Sequence, residues 1–194
     1  VEIARIAESC GVAAITVHGR TRECRFKGQA EYQTIQQIKA AVAIPVIANG
    51  DIDSPEKAKS VLDFTKADAI MIGRSAKGKP WIFSEIDSYL SNNKKPGPSL
   101  AAVRDIIFNH LDSLYSFYGE FMGVRMGRKH LIWYTQHQEG GHDFRQRMVR
   151  IETAREQLEL TRYFLDELLH ADIAKFVDLQ GKRSDQYENH KPNS

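Results

Sequence analysis

Residues 45–51, Pro45-Val46-Ile47-Ala48-Asn49-Gly50-Asp51, contain a short apolar run that leads directly into a polar turn. A run of this kind is typical of a strand in a parallel sheet, because such strands are covered on both faces. Asn-Gly-Asp is a turn sequence, and Asp53-Ser54-Pro55 then opens a helix, since proline is favoured at the first helical position. The stretch therefore predicts a strand, a turn and a helix in succession.

Similar units lie before and after this stretch, at intervals of roughly thirty residues. Each predicted strand is apolar and ends in glycine or polar residues, and Gly11 caps the first helix. Repetition of such units predicts parallel βα units, either in a barrel or in an open doubly wound sheet. Three strands alone would leave an open edge. The predicted elements are helix 2–10, strand 14–17, helix 30–42, strand 45–48, a helix opened by residues 53–55, strand 69–72 and helix 80–90.

The second half of the chain has a different pattern. Residues 91–99 form a polar linker that is broken by prolines, and the sequence from Leu100 to Leu169 is helical in its apolar spacing throughout. Four helices are predicted, the second of them beginning after Gly119, and a small antiparallel four-helix bundle is the natural arrangement. From His170 onward the chain becomes polar, and we expect a loosely held tail. The predicted domains are therefore residues 1–92 and 100–170, followed by a tail at 171–194.

Composition excludes several classes of protein. The 194 residues include 27 basic and 25 acidic side chains, so the net charge of +2 gives no overall signal for a polyanionic partner. Two cysteines, Cys10 and Cys24, cannot form a disulfide framework and have no zinc-ligand spacing, so we expect no metal and a reducing, cytoplasmic setting. No apolar run approaches the about 20 residues that cross a bilayer. The chain begins at Val1, inside an amphipathic pattern, and we expect it to be a fragment.

Candidate functional residues follow the three strands. His18, the turn 49–51 and Gly73-Arg74 would meet at one edge of a parallel sheet, where ligand sites collect. Glycine allows the backbone to approach a ligand, and the guanidinium of Arg74 matches phosphate oxygens. The last two strand ends therefore predict a phosphate site, as after strands seven and eight of a (β/α)8 barrel. Taken alone, Asn-Gly is foremost a turn, Gly-Arg is often a helix cap, and His18 could be structural.

These motifs closely resemble those of the tRNA-dihydrouridine synthases, and within that family the bacterial B type. The resemblance rests on residues 15–21, 45–52 and 69–74, followed by Lys79-Pro80-Trp81-Ile82-Phe83, in the right order and spacing. It continues weakly through Tyr118-Gly119 and 128–130, and it covers nearly the whole chain except the tail from about His170.

The resemblance implies a fold and an activity. The fold would be α/β plus α: the C-terminal part of a TIM (β/α)8 barrel, about three βα units, followed by a small helical bundle that grips tRNA. NADPH would reduce FMN, and the reduced flavin would pass a hydride to the C5=C6 bond of a uracil. By resemblance, Asn49, Gly50, Asp51, Gly73 and Arg74 hold the FMN phosphate and ribityl chain. His18 would touch flavin or substrate.

One departure from the family pattern affects catalysis. The family's acid is a cysteine in an Asn-x-Gly-Cys-Pro motif, which lies upstream with a flavin-contacting lysine, and neither motif occurs in this sequence. Cys10 lies among apolar residues of a helix and is predicted to be core. Cys24 has arginines nearby but not the family's context. We therefore expect no catalytic residue in this chain, an inactive fragment, and a full-length protein that is a monomeric enzyme.

Local basic clusters are the candidates for tRNA contact, although a solvated surface is the ordinary explanation of any one of them. Interleaved aromatic residues, Phe26 and Trp133-Tyr134, could stack on bases or belong to the core. The clusters are Arg20, Arg22, Arg25 and Lys27 after the first strand, Arg125, Arg128, Lys129 and His130 in the bundle, and Arg145, Arg147 and Arg150 on the third helix.

Three other functions remain open at this point. Another FMN barrel oxidoreductase, similar to dihydroorotate dehydrogenase, would use a like phosphate site on a small substrate, but the helices with residues 128–130 argue against it. A phosphate-binding barrel lyase or isomerase would need no flavin. The fragment could also act only as an RNA-binding module, since the family's acid is missing.

Overall fold

The structure is a computed structural model that describes residues 1–21, 23, 28–93 and 95–188, with side chains as far as Ala171. The chain divides into two units, Val1–Gly97 and Pro98–Ser194. The first unit alternates helices and strands, and the second is helical. No helix in the described part of the chain is both long enough and apolar enough to cross a membrane.

The first unit, called the α/β unit below, contains a three-stranded parallel sheet in the order β1-β2-β3. His18 is paired with Asn49, and Asn49 with Met71, so the carboxyl ends of the strands lie level at one edge. This confirms the predicted parallel strand–helix units. The elements are α1 (Glu2–Ser9), β1 (Ile15–His18), α2 (Gln33–Ala41), β2 (Val46–Asn49), α3 (Pro55–Thr65), β3 (Ala69–Met71) and α4 (Ile82–Leu90), with a short 3-10 turn at Arg74–Ala76 before α4.

Local sequence explains where α3 begins and where α1 ends. The hydroxyl of Ser54 accepts a hydrogen bond from the Lys57 amide and caps α3, whose first residue is Pro55, as the sequence predicts. Gly11 has a φ of 83°, the left-handed conformation expected after α1.

The core of the unit is formed by buried residues of the central strand and the helices beside it, among them Val46, Ala48, Ile35, Ile38, Ala58, Val61, Ile82 and Ile86.

Burial of the strands differs from the prediction. Val46 and Ala48 of β2 are completely buried, whereas β1 is only partly buried and Met71 of β3 is exposed. The expectation that all three strands are covered on both faces is wrong for β1 and β3. Coverage of a strand face depends on the helices packed against it, and both α2 and α3 pack against β2, which is therefore covered more completely than the strands beside it.

Helix α1 also departs from the prediction. Its apolar side chains Ile3 and Ile6 are 81% and 55% exposed, and Ala4 is its only buried residue among those described. Cys10, predicted to be core, is exposed. The apolar spacing of this helix marks a face suited to burial, but within the described residues no element covers that face.

The second unit, called the helical unit below, contains α5 (Leu100–Thr135), α6 (Gly141–Met148) and α7 (Ala154–Glu188). Helix α5 is interrupted at Gly119, where φ is 71° and ψ is 168°. Residues that have a Cβ rarely adopt these backbone angles. The predicted break between the first two helices therefore lies at this glycine. The core includes Ile107, Leu111, Leu131, Phe144, Met148, Phe164 and Leu165.

Helix α7 continues to Glu188, well past His170, where the sequence pattern predicted a loosely held tail. The prediction was based on polarity. Polarity does not end a helix, however, and residues 171–188 contain no proline to interrupt it. The helix is therefore longer than its apolar portion.

Candidate functional site

The ends of the three strands enclose an open pocket of about 870 Å³. The structure brings together here all six residues that the sequence analysis assigned to a phosphate and flavin site. Their proximity follows from the level strand ends, because His18, Asn49 and Met71 are neighbours in register. The pocket is lined by His18, Gly19, Arg20, Thr21, Asn49, Gly50, Asp51, Ile52, Asp53, Met71, Ile72, Gly73, Arg74 and Ser75.

The turn after β2 is held by contacts from two directions. Gly50 has a φ of 139° and Asp51 a φ of 47°, so the backbone here is in the left-handed half of conformational space. The Tyr32 hydroxyl donates to the Gly50 carbonyl at 2.7 Å, and the Gly19 amide donates to the Asn49 carbonyl at 2.8 Å. The turn is therefore held by contacts within the chain itself. Tyr32 falls within the predicted helix 30–42, and its contact with the turn was not predicted from the sequence.

Asp51 is the centre of the charged part of the pocket. One carboxylate oxygen accepts hydrogen bonds from Arg20 and from the Ala30 amide, the latter at 2.9 Å, and the other oxygen accepts from Arg74 at 3.1 Å. The hydrogen bond from Arg20, together with the Ala30 amide and the charge of both arginines, holds the pKa of the Asp51 carboxyl below its usual range. Asp51 is thus an anion that orders two guanidinium groups.

This geometry separates the roles of Asp51 and the arginines. A carboxylate repels a phosphate, so Asp51 is suited to positioning cations and not to contacting an anionic ligand by its side chain. The Arg20 side chain is only 11% exposed and donates also to the Gly28 carbonyl at 2.8 Å, whereas the Arg74 side chain is 52% exposed. Arg74 is therefore the guanidinium of this pair that a ligand can reach.

Acid should weaken the α/β unit through Asp51. Because the pKa of this carboxyl is lower in the folded chain than its ordinary value of 3.8, its stabilisation is complete above that value and is lost as the pH falls through the folded value. We expect Asp51→Asn to lower the free energy of unfolding at neutral pH by about 1 to 2 kcal/mol and to flatten its acid dependence. Urea unfolding across a pH series measures both effects. The exposed Asp112→Asn is the matched control, and equal curves for the two variants would contradict the assignment.

The side chain of Asn49 bridges the ends of the two outer strands. Its Oδ1 lies 2.6 Å from His18 Nδ1 on β1, and its Nδ2 donates to the Met71 carbonyl on β3 at 2.8 Å. His18 is exposed at the pocket. Asn49 thus contributes its side chain to the site as well as the turn that follows it.

The residues predicted to contact RNA have different surroundings. Arg20 turns inward to Asp51, because that carboxylate lies within reach across the sheet edge, and Arg22 and Arg25 lie outside the described residues. Arg128 donates through Nε to the Ile151 carbonyl at 2.9 Å and so holds the chain before α7. His130 is partly buried against His110, with ring centroids 4.5 Å apart. Burial, with a smaller contribution from His110 and Lys129, lowers its pKa.

Arg125 and Lys129 remain on the surface of α5, each beside an aromatic ring. The guanidinium carbon of Arg125 lies 3.5 Å from the centroid of Phe121, and Lys129 Nζ lies 5.2 Å from that of Trp133. Phe121 is 66% exposed and was not identified from the sequence. In the part of the chain with described side chains, no group of three His, Cys, Asp or Glu residues is placed to hold a metal ion.

Comparison with known proteins gives a consistent result. The family model described as "Dihydrouridine synthase (Dus)" matches residues 1–170. The chain is 54% identical over 170 residues to tRNA-dihydrouridine synthase B of Shewanella oneidensis, covering 87% of this chain and 52% of the relative. It is 56% identical over 168 residues to the protein of the same name from Xanthomonas campestris, covering 86% and 51%. The chain therefore spans about half the length of these curated relatives.

Proposed function

The chain belongs to the dihydrouridine synthase family, and we propose that it supplies the FMN-phosphate part of a (β/α)8 barrel and a tRNA-binding helical domain to a tRNA-dihydrouridine synthase. The reaction would be the NADPH-dependent reduction of particular tRNA uridines to 5,6-dihydrouridine. The single observation that supports this most directly is the convergence of two glycine-bearing turns and the Arg74 guanidinium on one pocket. Three parallel strands in sequential order are also compatible with part of such a barrel.

The pocket fits the phosphate end of FMN in three respects. A Cβ added at Gly73 would meet no protein atom within 4 Å, so the space beside this backbone is open to a ligand. The turn at Gly50 is already fixed by Tyr32, so its conformation needs little ordering on binding. Arg74 is exposed and held by Asp51 in a position to donate to phosphate oxygens. Asn49, Gly50, Gly73 and Arg74 would hold the phosphate and ribityl chain, with Asp51 orienting Arg74 and His18 at the flavin or substrate.

We propose that the reduction step also requires other parts of the whole protein. FMN, when bound, would supply the hydride for reduction of the uracil ring. The residues described in this chain would bind and orient the cofactor, and none of them is assigned the role of the acid. Cys10 is exposed and is not among the residues that line the pocket at the strand ends. We therefore propose that the chain alone does not complete the reaction.

Removal of the Arg74 guanidinium should weaken FMN binding by about ten- to a hundredfold, because a charge-assisted contact to phosphate would be lost. The measurement is the quenching of flavin fluorescence as the chain is titrated into FMN. Riboflavin, which has no phosphate, should bind the unsubstituted chain and Arg74→Ala equally. Arg5→Ala, at an exposed position of α1, is the control. Unchanged FMN affinity in Arg74→Ala, or equal affinity of the unsubstituted chain for FMN and riboflavin, would refute the phosphate site.

The proposed tRNA surface is a stripe on the second half of α5. Phe121, Arg125, Lys129 and Trp133 are spaced four residues apart, so they lie along one face of the helix. Each of the two cations lies beside one of the two aromatic rings, and this combination offers phosphates a positive charge and bases a surface for stacking. Arg128 and His130 contact other residues of the helical unit, so we expect their replacement to affect its stability.

Replacing both Arg125 and Lys129 with alanine should weaken binding of bulk tRNA by about tenfold at low salt. The slope of log affinity against log salt concentration should also fall, by the equivalent of about two phosphate contacts. Gel-shift titrations at several salt concentrations measure both quantities. Lys59→Ala removes an exposed lysine that is paired with Asp63 in the α/β unit, and it serves as the control. Loss of affinity without a change in salt slope would contradict phosphate contact by these two residues.

A further inference from the structure

The hydrogen bonds of Asn49 determine which nitrogen of His18 carries the proton. The Met71 carbonyl can only accept a hydrogen bond, so the Asn49 atom at 2.8 Å from it must be the donating amide nitrogen. The oxygen and nitrogen of an amide group have nearly the same shape, and the Met71 carbonyl therefore fixes which of the two faces it. The atom that faces His18 is therefore the amide oxygen, an acceptor.

The amide oxygen of Asn49 determines which nitrogen of His18 carries hydrogen. Its Nδ1 lies 2.6 Å from Asn49 Oδ1, and two acceptors would repel each other at that distance. Nδ1 must therefore be the protonated nitrogen. In a neutral imidazole only one ring nitrogen carries hydrogen, so Nε2 has a lone pair and no proton.

We propose that Asn49 is a positioning residue that selects the Nδ1–H tautomer of His18 and thereby presents Nε2 to the pocket as a hydrogen-bond acceptor. The β-sheet register supports this role, because it places His18, Asn49 and Met71 side by side on three adjacent strands. The Met71 carbonyl on β3 thus orients the Asn49 amide on β2, and that amide orients the His18 ring on β1.

The Nδ1–H tautomer of His18 limits the chemistry of the ligand. A group that contacts Nε2 of a neutral His18 ring must offer an N–H or O–H donor, because a carbonyl or phosphate oxygen would meet a lone pair at that point. The pocket then combines cationic donors at Arg74 with an acceptor on the neutral form of His18. The tautomer itself is a property of the chain and does not depend on the proposed flavin or tRNA role.

The test is a long-range proton–nitrogen NMR spectrum of the 194-residue chain labelled with nitrogen-15, recorded in mildly alkaline buffer where a free imidazole is neutral. His18→Gln identifies the His18 signals among the seven histidines by their loss. We expect His18 Nδ1 at the position of a protonated nitrogen and Nε2 at that of an unprotonated one. The reverse pattern, or two averaged signals, would overturn the proposal.

Asn49→Leu provides the second arm, because leucine is similar in size and cannot accept a hydrogen bond. If the amide spectrum shows a folded chain, the His18 pattern should shift toward the Nε2–H tautomer that free histidine prefers. An unchanged pattern would overturn the proposal. Asn109→Leu, at an exposed position of α5, should leave the His18 signals unmoved. Should Asn49→Leu not fold, the pattern of the unsubstituted chain still decides the question.

Discussion

Replacing Gly50 with alanine is expected to destabilise the α/β unit by about 3 kcal/mol, the largest effect that we predict for a change of one carbon atom. Two physical causes add. The φ of 139° at Gly50 is a conformation that residues with a side chain rarely adopt. A Cβ at this position would also lie 2.7 Å from the Cβ of Ala30, which cannot rotate away because it is bonded directly to the backbone.

The surroundings of Ala30 make this clash difficult to relieve. The Ala30 amide donates to the Asp51 carboxylate at 2.9 Å, and the neighbouring Glu31 amide donates to the Gly19 carbonyl at 2.8 Å. A shift of residues 30–31 would therefore disturb the same ion-pair cluster that orients Arg74. We expect Gly50→Ala to lose FMN affinity together with stability.

Gly11→Ala separates the two causes. Gly11 has a left-handed φ of 83°, but a Cβ there would meet no atom within 4 Å, so this variant has the backbone penalty without the clash. It should cost about 1 kcal/mol, since its φ is nearer than that of Gly50 to the left-handed helical region. Urea unfolding followed by the fluorescence of Trp81, in a Trp133→Phe background, reports on the α/β unit. Equal losses in the two variants would show that the contact with Ala30 is not restrictive.

The second large effect is expected in the helical unit, where Gln157→Leu should lower the free energy of unfolding by about 2 to 4 kcal/mol. Gln157 is completely buried. It accepts a hydrogen bond from the Tyr115 hydroxyl at 2.8 Å and donates to the Val124 carbonyl at 3.1 Å, so it joins both halves of α5 to α7. Leucine fills a similar volume but leaves that hydroxyl and that carbonyl without their partner.

The origin of this loss can be tested by removing the partner as well. Burial raises the pKa of the Tyr115 hydroxyl, which therefore stays protonated and needs an acceptor. The double variant Tyr115→Phe, Gln157→Leu should recover part of the stability lost in Gln157→Leu, because a buried donor is no longer left unpaired. Trp133 fluorescence in a Trp81→Phe background follows this unit. Gln146→Leu, on the exposed face of α6, is the control, and a double variant less stable than Gln157→Leu would contradict the explanation.

Cys10 and Arg20 have surroundings that their local sequence does not predict. Apolar spacing correctly identified α1 as a helix with one apolar face, yet that face and Cys10 are exposed. Spacing determines which side of a helix is apolar, but burial depends on whether another element lies against it. For Arg20, residue type suggested an RNA-facing loop, whereas the structure pairs it with Asp51, 31 positions away. No local pattern contains that partner.

By itself, the sequence determined the alternation of strands and helices, the break at Gly119 and the position of the candidate site at the strand ends. These features follow from properties of neighbouring residues: apolar runs, proline and serine at a helix start, and glycine where φ is positive. Only the tertiary structure decided that Asp51 orders both arginines, that Asn49 orients His18, and that Gln157 joins α5 to α7. Those contacts link residues 23 to 42 positions apart, and their geometry depends on strand register and helix packing, which no short stretch of sequence specifies.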